Sequence, residues 1–330
     1  MNSVLLDVKD LRTCFFTESG TARAVDGVSF RVDQGQVFGI VGESGCGKSM
    51  TALSIMRLIP TPPGRIMGGE IRFEGLDLLS IPEETMQSLR GNRISMIFQE
   101  PMTALNPVFR VGDQIAEVIQ RHSRVGKRDA LDQAKKLLEE VGIPLPAARI
   151  RDYPHQMSGG MRQRVMIAMA IACHPRLIIA DEPTTALDVT IQAQVLELLG
   201  ELQATLRTSI LLITHDLGVI AELAEQVLVM YAGRVIEQAP VVDLFHNPLH
   251  PYTKGLMRSL PGKAPRAGSK RLEAIDGVVP SLFALPSGCT FNTRCSFAFE
   301  RCFLDPEPDI EVRAPGHLVR CRLYEESQSA

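Results

Sequence analysis

Five short apolar runs frame this chain. Val37-Phe38-Gly39-Ile40-Val41, Ile94 to Phe98, Leu177 to Ala180, Ile210 to Thr214 and Val227 to Tyr231 are apolar nearly throughout. Runs of that length predict strands, and the first has the uninterrupted character of a buried parallel strand. Between them the period changes. Ala52, Leu53, Met56 and Ile59 recur at helical spacing, and Pro60 stops that helix. After breaks at Pro101, Asn106 and Pro107 the chain reads as mostly helical; Ala130 to Val141 is one helix, closed by Gly142 and Pro144. Thr17-Glu18-Ser19-Gly20 predicts a turn between two early strands, and Ala232-Gly233 a hairpin joining Val227–Tyr231 to Arg234–Glu237. Strands separated by helices imply an α/β fold with a mainly parallel sheet. Residues 100–175 read as a helical insertion in it. Near residue 240 the pattern fails, and Pro240, Pro248, Pro251, Pro261, Pro265 and Gly268 mark a linker. The expected division is a core over 1–240, a linker over 241–269 and an extension over 270–330. The extension has too little apolar sequence for a strong core of its own.

Composition removes some alternatives. The formal net charge of the 330 residues is −3, so no basic field points to nucleic acid. Met1 to Asp10 lack the basic start and apolar core of a signal peptide. The longest apolar run, Val165 to Cys173, falls far short of the ~20 residues that span a bilayer. A cytoplasmic protein is expected, unless a partner holds it at a membrane.

Candidate chemistry begins at Gly42-Glu43-Ser44-Gly45-Cys46-Gly47-Lys48-Ser49, a complete G-x-x-x-x-G-K-S/T phosphate loop between the first apolar run and the helix that Met50 continues. The glycines let successive N–H groups curl round an anion, Lys48 adds a mobile positive charge, and Ser49 offers a hydroxyl to Mg2+. The run Leu177–Ala180 ends in Asp181-Glu182. A strand-end acid beside a phosphate loop can hold Mg2+ or its waters, and the next can orient or deprotonate an attacking water. Ser158-Gly159-Gly160 precedes a helix over Arg162–Cys173, with Ser158 as its cap. Alone, the acids also suit a solvated strand end, and the serine an ordinary capped helix.

The order phosphate loop, Gln99, Ser-Gly-Gly, Leu-Ile-Ile-Ala-Asp-Glu, Ala-Leu-Asp, His215 resembles the ATP-binding-cassette (ABC) family over roughly residues 4–240. The resemblance implies a RecA-like phosphate-loop core, an N-terminal antiparallel β part and a helical insertion. It implies an ATPase using ATP and Mg2+. Gln99 would touch Mg2+ and sense the γ-phosphate. Ser158, Gly159 and Gly160 would reach the γ-phosphate of ATP held by an opposite subunit. Asp188 would lie at the dimer seam, His215 would switch on the γ-phosphate, and Phe15 or Phe16 would stack on adenine. Position 161 is Met where Gln is commoner in the family, and position 46 is Cys where Ser is common. Pro101, Leu105, Pro107 and Phe109 would dock a membrane subunit.

His250-Pro251-Tyr252-Thr253, Gly277-Val278-Val279-Pro280 and Cys289, Cys295, Cys302 and Cys321 resemble the C-terminal extension of oligopeptide and dipeptide importer ATPases, most of all the dipeptide-permease subunit with a cysteine cluster. That implies a sister ATPase in a heterodimer, two transmembrane permease subunits, an extracytoplasmic peptide-binding protein, and a peripheral place on the cytoplasmic membrane face. Nickel, glycopeptide or short-oligosaccharide cargo is the alternative; a soluble ABC ATPase outside transport is a further one. The cysteine spacing C-x5-C-x6-C-x18-C suits zinc or an iron–sulfur cluster alike. The family resemblance favours a 4Fe–4S cluster over Zn2+.

Overall fold

The computed structural model describes residues 3–260 and 275–325 and resolves two compact units, each assembled from several stretches of chain. The last nine residues of the expected linker, 261–269, and residues 270–274 lie outside the described residues.

The described residues of the first unit are 3–6, 32–37 and 73–213. Its strands Ile94–Ile97, Leu177–Asp181 and Ser209–Thr214 pair in parallel, with Ile94 opposite Leu177 and Leu177 opposite Ser209. Every residue of the second and third is buried, as unbroken apolar runs require. The parallel register carries Asp181 to the level of Ile213, so the acids end up at the carboxyl tips of the strands. The helical insertion is built from Val111–His122, Lys127–Glu140 and Gly159–Ile171, which pack on one another. Ile115, Ile119, Ala130, Ala134, Leu138 and Val165 form its core at helical spacing. Gly159–Ile171 also packs on the long helix Val189–Leu206.

The described residues of the second unit are 7–31, 38–72, 214–260 and 275–325. In one sheet the strand Val4–Thr17 lies between Gly20–Asp33 and Gly64–Phe73. The two-residue turn Glu18-Ser19 joins the first two, which only antiparallel neighbours permit. In another, Val37–Val41 runs parallel to Gln226–Tyr231. The expected hairpin follows, with Arg234–Pro240 antiparallel to Gln226–Tyr231. His317–Val319 and then Glu311–Ala314 extend that sheet. The extension therefore adds strands to an existing sheet. It also packs Phe291 against the touching rings of Tyr231 and Tyr252, with ring centroids 5.2 and 5.5 Å away. This borrowed core answers its shortage of apolar residues.

Three expectations change. The described part of the linker carries the helices Val241–His246 and Pro251–Arg258. Pro251 does not interrupt the second helix because it occupies the first turn, where no N–H is needed. The phosphate-loop helix ends at Ile55, before Ile59 and Pro60. The helix after Ser158 begins at Gly159, so both glycines belong to its first turn.

Candidate active site

The phosphate loop follows the buried strand Val37–Val41 and opens the helix Lys48–Ile55. Two of its glycines are required by geometry. Gly42 has φ 155° and Gly47 φ 105°, and a Cβ would come within 2.3 Å of the Met230 carbonyl oxygen or 2.2 Å of the Ala24 carbonyl oxygen. The hairpin turn braces the loop, since the Gly233 N–H donates to the Cys46 carbonyl at 2.9 Å. Ser44 and Gly45 are exposed, while Ser49 and Met50 are half-buried at the start of the helix. Lys48 is buried, and its ammonium donates to the carbonyls of Gly42 at 2.7 Å and Glu43 at 3.1 Å. It is thus held over the mouth of the loop, where phosphate oxygens are its natural partners. Cys46 is fully buried, and burial pushes its thiol up, so it serves as a small neutral filler.

Phe15 and Phe16 stand on opposite faces of Val4–Thr17, because side chains alternate along a strand. Thr13 shares the face of Phe15, and its hydroxyl meets Ser54 of the phosphate-loop helix at 2.8 Å. Phe15 is half-buried beside Gly64, and Phe16 is exposed. His215 follows the strand Ser209–Thr214 directly and is exposed. Its loop is pinned on the far side, where the Asp216 N–H donates to Thr214 Oγ1 at 3.0 Å and the Asp216 carboxylate caps Leu217–Leu223.

In the first unit Asp181 and Glu182 are both buried at the strand tip. Glu182 has φ 45°, in the left-handed region that a glutamate seldom adopts. Its N–H donates to Ile213 O at 2.8 Å, which fixes that turn. Its Oε2 accepts from Gln99 Nε2 at 3.0 Å and from Thr185 Oγ1 at 2.8 Å. Two predicted site residues, Gln99 and Glu182, are therefore brought into direct contact. Backbone strain and a double clamp on one carboxylate are what a positioned base needs. Thr185 was not among the sequence candidates; its place three residues past Glu182, inside the turn, was the available sign.

Ser158 caps Gly159–Ile171 by accepting the Met161 N–H at 3.3 Å. Asp188 caps Val189–Leu206 by accepting the Ile191 N–H at 3.0 Å. Within the proposed docking segment Met102, Val108 and Phe109 are exposed, but Leu105 is buried. Leu105 is thus a core residue and not part of a docking face.

An ABC transporter model matches residues 25–185, and a model of the oligopeptide/dipeptide transporter C-terminal region matches residues 236–302. A probable peptide ABC transporter ATP-binding protein of Sinorhizobium fredii is 54% identical, covering 96% of this chain and 94% of its own length. The oligopeptide transport ATP-binding protein AppD of Bacillus subtilis is 52% identical over 98% of both chains. The chain belongs to the ABC transporter ATP-binding proteins.

The dipeptide transport ATP-binding protein DppD of Bacillus subtilis is also similar to this ABC ATPase, at 49% identity over 98% of this chain and 95% of that one. Its fold is shared with the dimeric cassette MJ0796 solved with ADP and phosphate, at TM-score 0.65 and 23% identity over 72% of this chain and 98% of that one. Among the described residues no helix is long and apolar enough to cross a membrane.

The cysteine expectation is not supported. Cys289, Cys295, Cys302 and Cys321 are free and close enough for Cys289, Cys295 and Cys302 each to raise the pKa of Cys321. Yet among the described residues no group of three or more His, Cys, Asp or Glu side chains is placed to hold a metal ion. Neither a 4Fe–4S cluster nor Zn2+ is supported by this arrangement.

Proposed function

We propose that this ABC ATPase energises peptide uptake across the cytoplasmic membrane. The observation that carries the reading is the match of residues 236–302 to the oligopeptide/dipeptide transporter C-terminal region, joined to near full-length similarity to peptide transport ATPases. Relatives named for oligopeptides stand at 52% identity and one named for dipeptides at 49%, so the reading covers both cargo lengths.

In this reading ATP lies on the phosphate loop, with Lys48 on its phosphates and Phe15 stacked on adenine. Phe15 is preferred to Phe16 because it shares the strand face that Thr13 turns to the phosphate-loop helix. Mg2+ neutralises phosphate charge when bound, and the hydroxyl of Ser49, the amide of Gln99 and the carboxylate of Asp181 are the hard oxygen donors it prefers. Glu182 orients and deprotonates the attacking water, held in place by Gln99 and Thr185. A sister ATPase supplies Ser158-Gly159-Gly160-type contacts across a heterodimer, with Asp188 at the seam. Closure excludes water and aligns the nucleophile; loss of the γ-phosphate, to which His215 responds, releases it. Met102, Val108 and Phe109 face one of two permease subunits, and an extracytoplasmic binding protein delivers cargo. The protein is then peripheral on the cytoplasmic face. Iron and sulfide analysis of anaerobically purified protein tests the cysteine quartet separately: four of each per chain would restore the cluster.

The test of function is uptake of a labelled dipeptide and a labelled pentapeptide in cells whose other peptide permeases are deleted. Lys48→Ala should abolish uptake of at least one. Unchanged uptake of both would remove peptides as cargo while leaving the ATPase assignment intact.

A further inference from the structure

Glu43 is an awkward residue for its position. It is the second residue of the phosphate loop, and a carboxylate there repels the anion the loop exists to bind. The structure supplies its counter-charge from the C-terminal extension. Arg294 donates through Nη1 to Glu43 Oε2 at 2.7 Å and through Nη2 to Oε1 at 3.1 Å, a two-point fork. The Arg294 side chain is only 3% exposed, whereas that of Glu43 is 31% exposed. The arginine therefore reaches outward from the interior to meet the loop.

Everything around the guanidinium fixes its aim. Its Nε donates to Asp276 O at 2.9 Å, Nη2 to Ile275 O at 3.3 Å and Nη1 to Tyr231 Oη at 3.4 Å. It lies over the rings of Tyr231 at 5.7 Å and Phe291 at 5.9 Å. A second contact reaches the same loop residue from the same region. The Glu43 N–H donates to the hydroxyl of Tyr252 at 2.8 Å. Tyr252 is fully buried in the helix Pro251–Arg258. The buried carboxylate of Glu237 sets the entry to that helix, accepting the N–H groups of Leu249 at 2.7 Å and His250 at 2.8 Å and bonding His317 Nε2 at 2.8 Å. Both charge and backbone of Glu43 are thus controlled from beyond residue 230.

We propose that Arg294 is a positioning residue of the ATP site, neutralising Glu43 and, together with Tyr252, holding the first turn of the phosphate loop in its anion-binding shape. The extension is then part of the nucleotide site. This rests on residues 42–49 being the loop that binds ATP.

Titration of the full-length chain with a fluorescent ATP analogue tests it. Arg294→Ala should weaken binding about tenfold, because an uncompensated loop carboxylate then faces the phosphates. Glu43→Gln added to Arg294→Ala should recover most of the loss, since the repulsive charge is gone. Arg294→Lys, which keeps the charge without the fork, should fall between. Unchanged affinity in Arg294→Ala would overturn the proposal. So would a double variant as weak as Arg294→Ala, which would reduce the arginine to a support of the fold. Should circular dichroism show Arg294→Ala unfolded, the comparison passes to Arg294→Lys with and without Glu43→Gln, and failure of the second change to close the gap is again fatal. Wild-type protein that binds no ATP would instead sink the reading of the loop itself.

Discussion

The phosphate loop and the C-terminal extension are built on opposite principles. The loop is spelled out by eight consecutive residues, with its glycines at fixed spacing and a lysine folded over the carbonyls five and six residues back. The extension takes its shape from distant partners. Its strands join a sheet begun elsewhere in the unit, its aromatic anchor packs on the paired rings of Tyr231 and Tyr252, and its arginine ends on a residue 251 positions earlier. A motif can therefore announce the loop, while only three dimensions reveal what the extension does. Chemistry that resides in the backbone is written locally; chemistry that needs a counter-charge is not.

The catalytic side of this contrast is tested most harshly at Glu182. Glu182→Gln should lower ATP turnover about 10²–10⁴-fold with ATP binding retained, measured by phosphate release alongside nucleotide titration. Turnover near the wild-type rate would mean that the strained, doubly held carboxylate is not the base. The next test asks whether local strand alternation alone can choose between two adjacent aromatics. Phe15→Ala should raise the KM for ATP about tenfold, as loss of a base-stacking ring does, while Phe16→Ala stays within about twofold. The reverse order would show that the strand face is a poor guide here.

The smallest effect at neutral pH concerns the extension's side of the contrast. His250 is buried, and burial, with Lys254 and Arg320 adding to it, lowers its pKa from 6.5 to about 3. The folded chain therefore binds fewer protons at this site than the unfolded chain between those limits. The site's contribution to stability is complete above 6.5 and is lost as pH falls from there toward 3. His250→Asn keeps a side-chain acceptor for the Tyr252 N–H but cannot titrate. Its urea midpoint should match the wild type at about pH 7 and exceed it at about pH 5. Parallel losses in both proteins would place the acid sensitivity elsewhere.

Much of the fold was legible. The five apolar runs became strands with bounds shifted by one residue or none, because fully buried strands need continuous apolar sequence. The phosphate loop, the Ser158 cap and the acids at the strand tip were legible for the same local reason. What was missed depended on context. Pro248 and Pro251 read as a linker, yet a proline in a first turn is compatible with a helix. Leu105 read as an exposed anchor, but it is 1% exposed and belongs to the core. The cysteines read as a metal cluster on resemblance, and among the described residues no metal-holding group supports it. Arg294 carried no motif at all. Its one trace was indirect, an acid inside a loop for anions, which asks where its counter-charge comes from.

The two members of that pair stand 251 positions apart in the chain. A ribosome makes Glu43 well before Arg294. Through most of synthesis the loop exists with its repulsive carboxylate unopposed, and the same holds for any product that terminates before the extension is complete. Such fragments carry the full phosphate-loop motif and still lack the charge balance of the finished site. Full-strength nucleotide capture thereby depends on synthesis having passed Arg294, and a copy that stops before it is handicapped in competing with intact ones for ATP.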